Sequence, residues 1–250
     1  MSRLTAIILA AGYGSRIADV TTDPKSLLKI QNKTLMEWHF NSLKAVGIKD
    51  VVVVTGYKRD MLEDYLDQFK SDFNIVYAIN DDYKIKGNTY SLFYGLEKAQ
   101  SGFLLFDADL IYETKILQAF VEDQNANQIL VGTGSIDDIE SAKTMIDQEG
   151  NARLTIDKRA VSEEEKRQYR FAGEAIGIIK YSEAYRNDLF NECKKFLSHP
   201  QNISKNWEHV MNEFLLNHEM KIHQSASETW VEIDNKEDFD RAKKLFGDKS

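Results

Sequence analysis

The chain has 250 residues and a formal charge of −8 from 40 acidic and 32 basic side chains, with 42% apolar residues and only 2 prolines. At this length folding buries roughly 70 to 75% of the surface of the unfolded chain, so one domain builds a full hydrophobic core without disulfide staples. The acidic balance argues against a nucleic-acid surface, the want of any apolar run near about 18 residues argues against a membrane span, and a small-molecule partner is the expectation.

Met1-Ser2-Arg3-Leu4 leads at once into a strand-like run, Thr5 to Leu9, which leaves no room for a signal peptide and predicts a cytoplasmic protein. Leu35 to Val46, Val51 to Thr55 and Met61 to Phe69 then alternate helix-length and strand-length patterns, the βαβ signature of a parallel sheet covered on both faces. Thr34 with Glu37 predicts a capping box for the first long helix, and Gly47 supplies its stop. Phe73 to Ile79 and Phe103 to Phe106 read as buried strands, with Ser91, Leu92, Leu96 and Ala99 marking a helix between them. The texture changes near residue 133. Lys143 to Asp147 and Ala152 to Asp157 flank Gln148-Glu149-Gly150-Asn151 as a hairpin, and the charged stretch Val161 to Arg170 predicts a loop or lid. Glu174 to Lys180 reads as a strand, Ser182 to Phe196 and Ile203 to His218 as helices, Trp230 to Ile233 as a strand and Lys236 to Phe246 as a closing helix. The lone Cys193, between Glu192 and Lys194, has the pattern of a helix surface and fits a reducing compartment.

The segment richest in chemistry is Leu9-Ala10-Ala11-Gly12-Tyr13-Gly14-Ser15-Arg16, directly after the first strand and followed by Asp23-Pro24-Lys25-Ser26. Small residues let backbone amides approach a phosphate chain, and Arg16 and Lys25 add positive charge where the loop returns. The dinucleotide fingerprint fails because its third glycine would fall at Ile17, and the Walker pattern fails because no Gly-Lys-Ser/Thr closes the loop.

Leu9 to Arg16 with Pro24-Lys25 resembles the signature of the nucleotidyltransferases that condense a nucleoside triphosphate with a small phosphorylated acceptor. Asp107-Ala108-Asp109 and Trp230-Val231-Glu232-Ile233-Asp234 fall where that family places its two metal-binding acidic segments, so the resemblance covers nearly the whole chain. Asn88-Thr89-Tyr90-Ser91-Leu92 and Gly173-Glu174-Ala175-Ile176-Gly177 are most similar to choline-phosphate and 2-aminoethylphosphonate cytidylyltransferases. The resemblance implies an α/β fold of the Rossmann-like, GT-A type, a mostly parallel sheet flanked by helices, with added strands and helices in the second half on the acceptor side. It implies one domain over 1–250, with 1–133 the nucleotide-binding half and 134–250 the acceptor-binding half.

Within that frame Leu9, Ala10, Ala11, Gly12, Gly14, Asn88 and Ser91 are expected at the nucleotide. The strand ending at Phe106 should deliver Asp107 and Asp109 into the crevice beside the loop. Magnesium takes one or two protein carboxylates besides water and phosphate oxygens, so Asp109 and Asp234 are the expected Mg2+ ligands. Asp107 is expected to orient the loop, and Glu232 either supports the ligands or is an ordinary strand charge. Lys25 and Arg16 are expected to act on the phosphate charges, joined by Lys158, which resembles a lysine that enters the family's site from the second half. Tyr90, Tyr94, Tyr185 and Trp207 offer faces for an ammonium-bearing acceptor, with Glu208 and Glu174 as its carboxylates. Of these, Glu174, Trp207 and Tyr90 are the expected acceptor-binding residues. The 5 histidines form no metal or triad constellation, so no protein nucleophile is expected.

The expected reaction is transfer of CMP from CTP to phosphocholine or 2-aminoethylphosphonate with release of pyrophosphate. Sugar-1-phosphate nucleotidyltransferases share the first loop and are the alternative. A GT-A glycosyltransferase shares the Asp-X-Asp motif but has no need of Arg16 and Pro24-Lys25, and a non-catalytic nucleotide-binding protein has no need of both metal aspartates. The expected partners are CTP and a small phosphate or phosphonate, with no nucleic acid and no membrane, and with homo-oligomer formation left open.

Overall fold

Alternation along the central strand organises the molecule: Ile7 and Leu9 face one apolar layer while Ala6 and Ile8 face another, and all four are buried. The computed structural model describes residues 4–247; Met1 to Arg3, where the reading of the N-terminus begins, lie outside the described residues. In chain order β1 (Thr5–Leu9) is followed by the short ribbon β2 (Lys29–Ile30) and β3 (Lys33–Thr34), then α1 (Leu35–Ala45), β4 (Asp50–Thr55), α2 (Arg59–Leu66) and β5 (Asn74–Ile79). Next come α3 (Asn88–Lys98), β6 (Phe103–Asp107), β7 (Leu110–Tyr112), α4 (Thr114–Glu122) and β8 (Gln128–Gly132). The hairpin β9 (Lys143–Ile146) and β10 (Ala152–Ile156), α5 (Glu163–Gln168) and the long β11 (Arg170–Tyr181) follow. Then α6 (Glu183–Leu197), α7 (Trp207–Leu215), β12 (Lys221–Gln224), β13 (Trp230–Glu232) and α8 (Lys236–Phe246) are added.

Strands β5, β4, β1 and β6 pair in that order, all parallel. Antiparallel β11 joins β6 to β8, which pairs in parallel with β12, and the β9–β10 hairpin extends the sheet beside the first residues of β11. Helices α3, α6 and α7 cover one face through Leu92, Leu96, Leu189, Val210 and Phe214. On the other face α1, α2 and α4 contribute Met36, Phe40, Leu62, Ile116 and Phe120. A parallel block buried on both faces needs near-continuous apolar runs, which Ala6 to Leu9 in β1, Val51 to Val54 in β4 and Phe103 to Phe106 in β6 supply. The fold is therefore α/β, with a mostly parallel central sheet flanked by helices.

The predicted capping box is present: Glu37 N–H donates to Thr34 Oγ1 at 3.0 Å, and Thr34 N–H to Glu37 Oε2 at 2.7 Å. Gly47 follows α1 at φ 74, the left-handed conformation that ends a helix. Four expectations need correction. Strand β5 is an edge strand, and its Val76 and Ile79 are each 46% exposed rather than buried. Cys193 is buried in the layer under α6, because the charged residues beside it point away around the helix. The charged stretch 161–170 contains α5, a short helix nucleated by a capping box between Ser162 and Glu165. The helix expected from Ile203 starts only at Trp207; a 3-10 turn at Pro200–Asn202 and a bend precede it.

Candidate active site

Strands β1 and β6 are parallel neighbours with Leu9 opposite Asp107, so the glycine-rich loop and the Asp107–Asp109 segment leave the sheet side by side. That is the crevice at the carboxyl ends of the strands where open α/β sheets bind ligands. A cleft of about 420 Å³ lies there, and Leu9, Ala10, Ala11, Gly12, Gly14, Asn88 and Ser91 all line it. Gly14 adopts φ 62, a left-handed turn, and a Cβ on it would stand 3.3 Å from Lys25 Cβ. This turn lets the lysine stem pass close beneath the loop.

A second, two-stranded sheet positions the acids. In β7 and β13 Glu232 pairs with Leu110, and one step on Ile233 N–H donates to Asp109 O at 3.0 Å. Asp109 and Asp234 are thereby held on adjacent strand ends. Asp234 N–H donates to Asp238 Oδ2 at 3.1 Å, which ties the loop to the capped start of α8. Three cations converge on this pair: Lys25 Nζ lies 2.5 Å from Asp109 Oδ2 and 3.0 Å from Asp234 Oδ1. Lys158 Nζ lies 2.7 Å and Arg16 2.9 Å from Asp234 Oδ2. Lys158 reaches in from the end of β10 by adopting φ 44.

Asp109, Glu232 and Asp234 each offer an oxygen within 4.8 Å of the others. Asp109 Oδ1 is buried with no hydrogen-bond partner among the described residues, so these donors suit a hard divalent cation. Burial pulls the Lys25 ammonium down, but Asp109 and Asp234 outweigh it and the net shift is upward. Burial likewise raises the Asp234 carboxyl, and Lys25 and Lys158 more than reverse this. The Glu232 carboxyl is pushed up by burial and then by Asp109 and Asp234.

Deeper in the cleft the balance changes. Trp207 opens α7, its N–H donating to Asn88 Oδ1 at 2.6 Å and its Nε1–H to Asp107 Oδ1 at 3.2 Å. Gly177, at φ 83, leaves room for the other oxygen: a Cβ there would come within 2.7 Å of Asp107 Oδ2. Glu208 Oε2 is buried without a hydrogen-bond partner among the described residues. Neither Asp107 nor Glu208 has an ion pair among them. Burial, with Asp109 and Glu208 adding repulsion, raises the Asp107 carboxyl well above the usual range. Burial and then Asp157 push Glu208 up to about 8.

Two of the expected acceptor-binding residues are not brought here. Glu174 points from β11 to the side opposite Ala175 and Gly177, which line the cleft; it lies in a separate hollow with Thr133, Glu228 and Arg241. The cause is the two-residue period of a strand. Tyr90 sits under the Lys86 ammonium, 4.8 Å from its ring centroid, while Asn88 and Ser91, three apart on α3, take the cleft-facing side. Tyr94 also packs with Lys86, and Tyr185 packs edge-on against Phe214 and His218. Trp207 alone of the four aromatics lines the cleft. Sequence reasoning missed Asn88 as the acceptor for the first N–H of α7, since its partner is 119 positions away. It also missed Asp157 and Asn206 as lining residues; the one signal available for Asp157 was its place beside Lys158.

Residues 6–141 match the MobA-like NTP transferase domain family. The choline-phosphate cytidylyltransferase of Streptococcus pneumoniae is 35% identical over 107 residues, 42% of this chain and 44% of that protein. The CTP:phosphoglutamine cytidylyltransferase of Campylobacter jejuni is 28% identical over 135 residues, 51% of this chain and 52% of that protein. The chain thus spans about half the length of the curated relatives it matches. Among solved structures, the CTP:phosphocholine cytidylyltransferase of S. pneumoniae has a TM-score of 0.76 at 20% identity, covering 97% of this chain and 99% of that one, which shows a common fold.

Proposed function

The chain belongs to the MobA-like NTP transferase domain family, and from that premise we propose that it is a cytidylyltransferase, transferring CMP from CTP to a small ammonium-bearing phosphate or phosphonate. The observation that carries the reading is the division of one cleft into a part beside the glycine loop whose acids are ion-paired and a part at Trp207 whose acids, Asp107 and Glu208, have no ion pair among the described residues. The two curated relatives are named for choline phosphate and phosphoglutamine, both of which carry an ammonium group, and their shared donor is the reason for preferring CTP.

In the reaction an oxygen of the acceptor phosphate or phosphonate forms a bond to the α-phosphorus as the bond to the β-phosphate bridging oxygen breaks, and pyrophosphate leaves with that electron pair. The acceptor is already an anion at neutral pH, so no side chain has to take a proton or form a covalent bond. The protein's work is to align two anions and offset their charge. The amides of Gly12 and Gly14 and the Ala10–Ala11 backbone form a cradle for the phosphates. Arg16, Lys25 and Lys158 supply positive charge at its open side. Asp109 and Asp234 would hold a divalent cation, magnesium being the expected ion, which neutralises charge on the phosphate chain. Asp107, which accepts from the Trp207 indole N–H, and Glu208 would give up their protons to solvent as the acceptor's ammonium arrives and then supply its counter-charge, with Trp207 offering an aromatic face.

Pyrophosphate release measured across the four nucleoside triphosphates against phosphocholine, 2-aminoethylphosphonate and glucose 1-phosphate tests the reading. CTP with one of the two cationic acceptors should give the highest kcat/KM. A hexose 1-phosphate as the better acceptor would replace the acceptor assignment with the sugar-nucleotide alternative.

A further inference from the structure

Lys25 has a position that neither Arg16 nor Lys158 shares. Those two both reach Asp234 Oδ2, whereas Lys25 spans Asp109 Oδ2 and Asp234 Oδ1. A divalent ion ligated by these same two oxygens at the roughly 2.0–2.1 Å typical of magnesium would overlap the space of the ammonium. Two positive charges cannot share that seat. The lysine also has somewhere else to go, because its stem runs within 3.3 Å of where a Cβ on Gly14 would stand, directly under the phosphate cradle. Rotation about its outer side-chain bonds carries the ammonium from the carboxylates to the loop with no movement of the backbone.

We propose that Lys25 is a resident counter-ion in the metal seat: a divalent cation binds the nucleotide-free protein weakly, and gains Asp109 and Asp234 only as Lys25 passes its ammonium to the phosphates of the bound nucleotide. This rests on the reading of Asp109 and Asp234 as metal ligands. Its consequence is positive coupling between metal and nucleotide carried by one side chain, with each raising the affinity for the other by the same factor. The resident lysine also keeps the paired carboxylates compensated between turnovers, where two bare carboxylates this close would repel.

The test is the binding of Mn2+ alone, with no nucleotide present, followed by the electron paramagnetic resonance of the free ion. Lys25→Met should bind Mn2+ at least about fivefold more tightly than the unaltered protein, the low end of ordinary coupling factors. Lys25→Gln provides a second neutral variant should the first fold poorly. Lys158→Met, which removes a contact to Asp234 only, should change Mn2+ affinity less than Lys25→Met does. Adding Asp109→Asn to Lys25→Met should abolish the gain. Equal Mn2+ affinity in the unaltered protein and both Lys25 variants, with loss on Asp109→Asn, would overturn the competition and leave the metal ligands standing. No Mn2+ binding in any of the proteins would overturn the ligand assignment with it. Neither outcome depends on which nucleotide or acceptor is used.

Discussion

Two groups of carboxylates share one cleft and live under opposite conditions. Asp109 pairs with Lys25, and Asp234 with Lys25, Lys158 and Arg16; at Asp234 the lysines more than reverse the effect of burial. Asp107 has the Trp207 indole N–H, and neither Asp107 nor Glu208 has an ion pair among the described residues, so burial outweighs the pull of Lys158 on Glu208 and raises both. Burying an acid without a partner is costly, and a protein keeps such groups where a ligand completes them. On the proposed reading the compensated group takes phosphate and metal, with Lys25 giving up its place to the metal, and the uncompensated group takes a cation that arrives with the acceptor.

The comparison breaks most visibly at the compensated group. Asp109→Ala or Asp234→Ala should lower turnover by roughly 10²–10³-fold or more, the range for losing one preorganised electrostatic contact, a far larger effect than the drop in melting temperature from breaking an ion pair with Lys25. Steady-state kinetics with a melting curve check this, and full activity in excess EDTA would remove the metal from the account. Lys25→Ala should lower kcat by about 10²-fold while weakening CTP less, because a cation at the reacting phosphates gains most as charge shifts in the transition state. Equal effects on kcat and KM would make Lys25 a uniform binder.

At the uncompensated group the effects are smaller and fall on the acceptor. Glu208→Gln should raise the acceptor's KM about tenfold, one lost charge contact, and leave that of CTP nearly unchanged. The same variant sharpens the electrostatic argument. With its carboxyl at about 8 in the folded protein, Glu208 binds its proton more tightly when folded than when unfolded. Its stability contribution is fully present below the ordinary glutamate value and is lost as pH rises to about 8, so Glu208→Gln should flatten the fall in melting temperature over that window. A steeper fall in the variant would place the compensating charge elsewhere. Trp207→Ala should raise the acceptor's KM by a few-fold to about thirty-fold, the worth of about 0.5–2 kcal/mol for a cation over an aromatic face. Competition by tetramethylammonium should weaken in parallel.

Much of this was legible in the chain because local rules set it. The Thr34–Glu37 box, the Gly47 stop, the hairpin around Gly150 and the alternation in β1 follow from neighbours a few residues apart. The phosphate loop and Asp109 were legible for the same reason, since a tight turn after a strand leaves few places for them to go. What failed depended on which side of an element faces the cleft. Glu174 and Ala175 are adjacent in sequence and on opposite faces of β11, and only the pairing of that strand with β8 and β9 decides between them. Tyr90 was displaced by the same uncertainty on a helix. Strand β5 has the composition of a buried strand, and its exposure reflects its place at the sheet edge, which no local pattern records.

The clip between β7 and β13 also bears on how the protein comes into being. Lys25 and Asp234, 209 positions apart, meet only after β13 has docked beside β7. During synthesis the glycine-rich loop and β6 emerge well before β13, so the acidic seat is unfinished until Trp230–Glu232 and Asp234 have followed. Contacts this distant in sequence are late and slow to form, because the loop they close is long. A nascent or partly unfolded chain therefore carries the loop without the seat, and the recovery of metal affinity during refolding should lag the recovery of helical content.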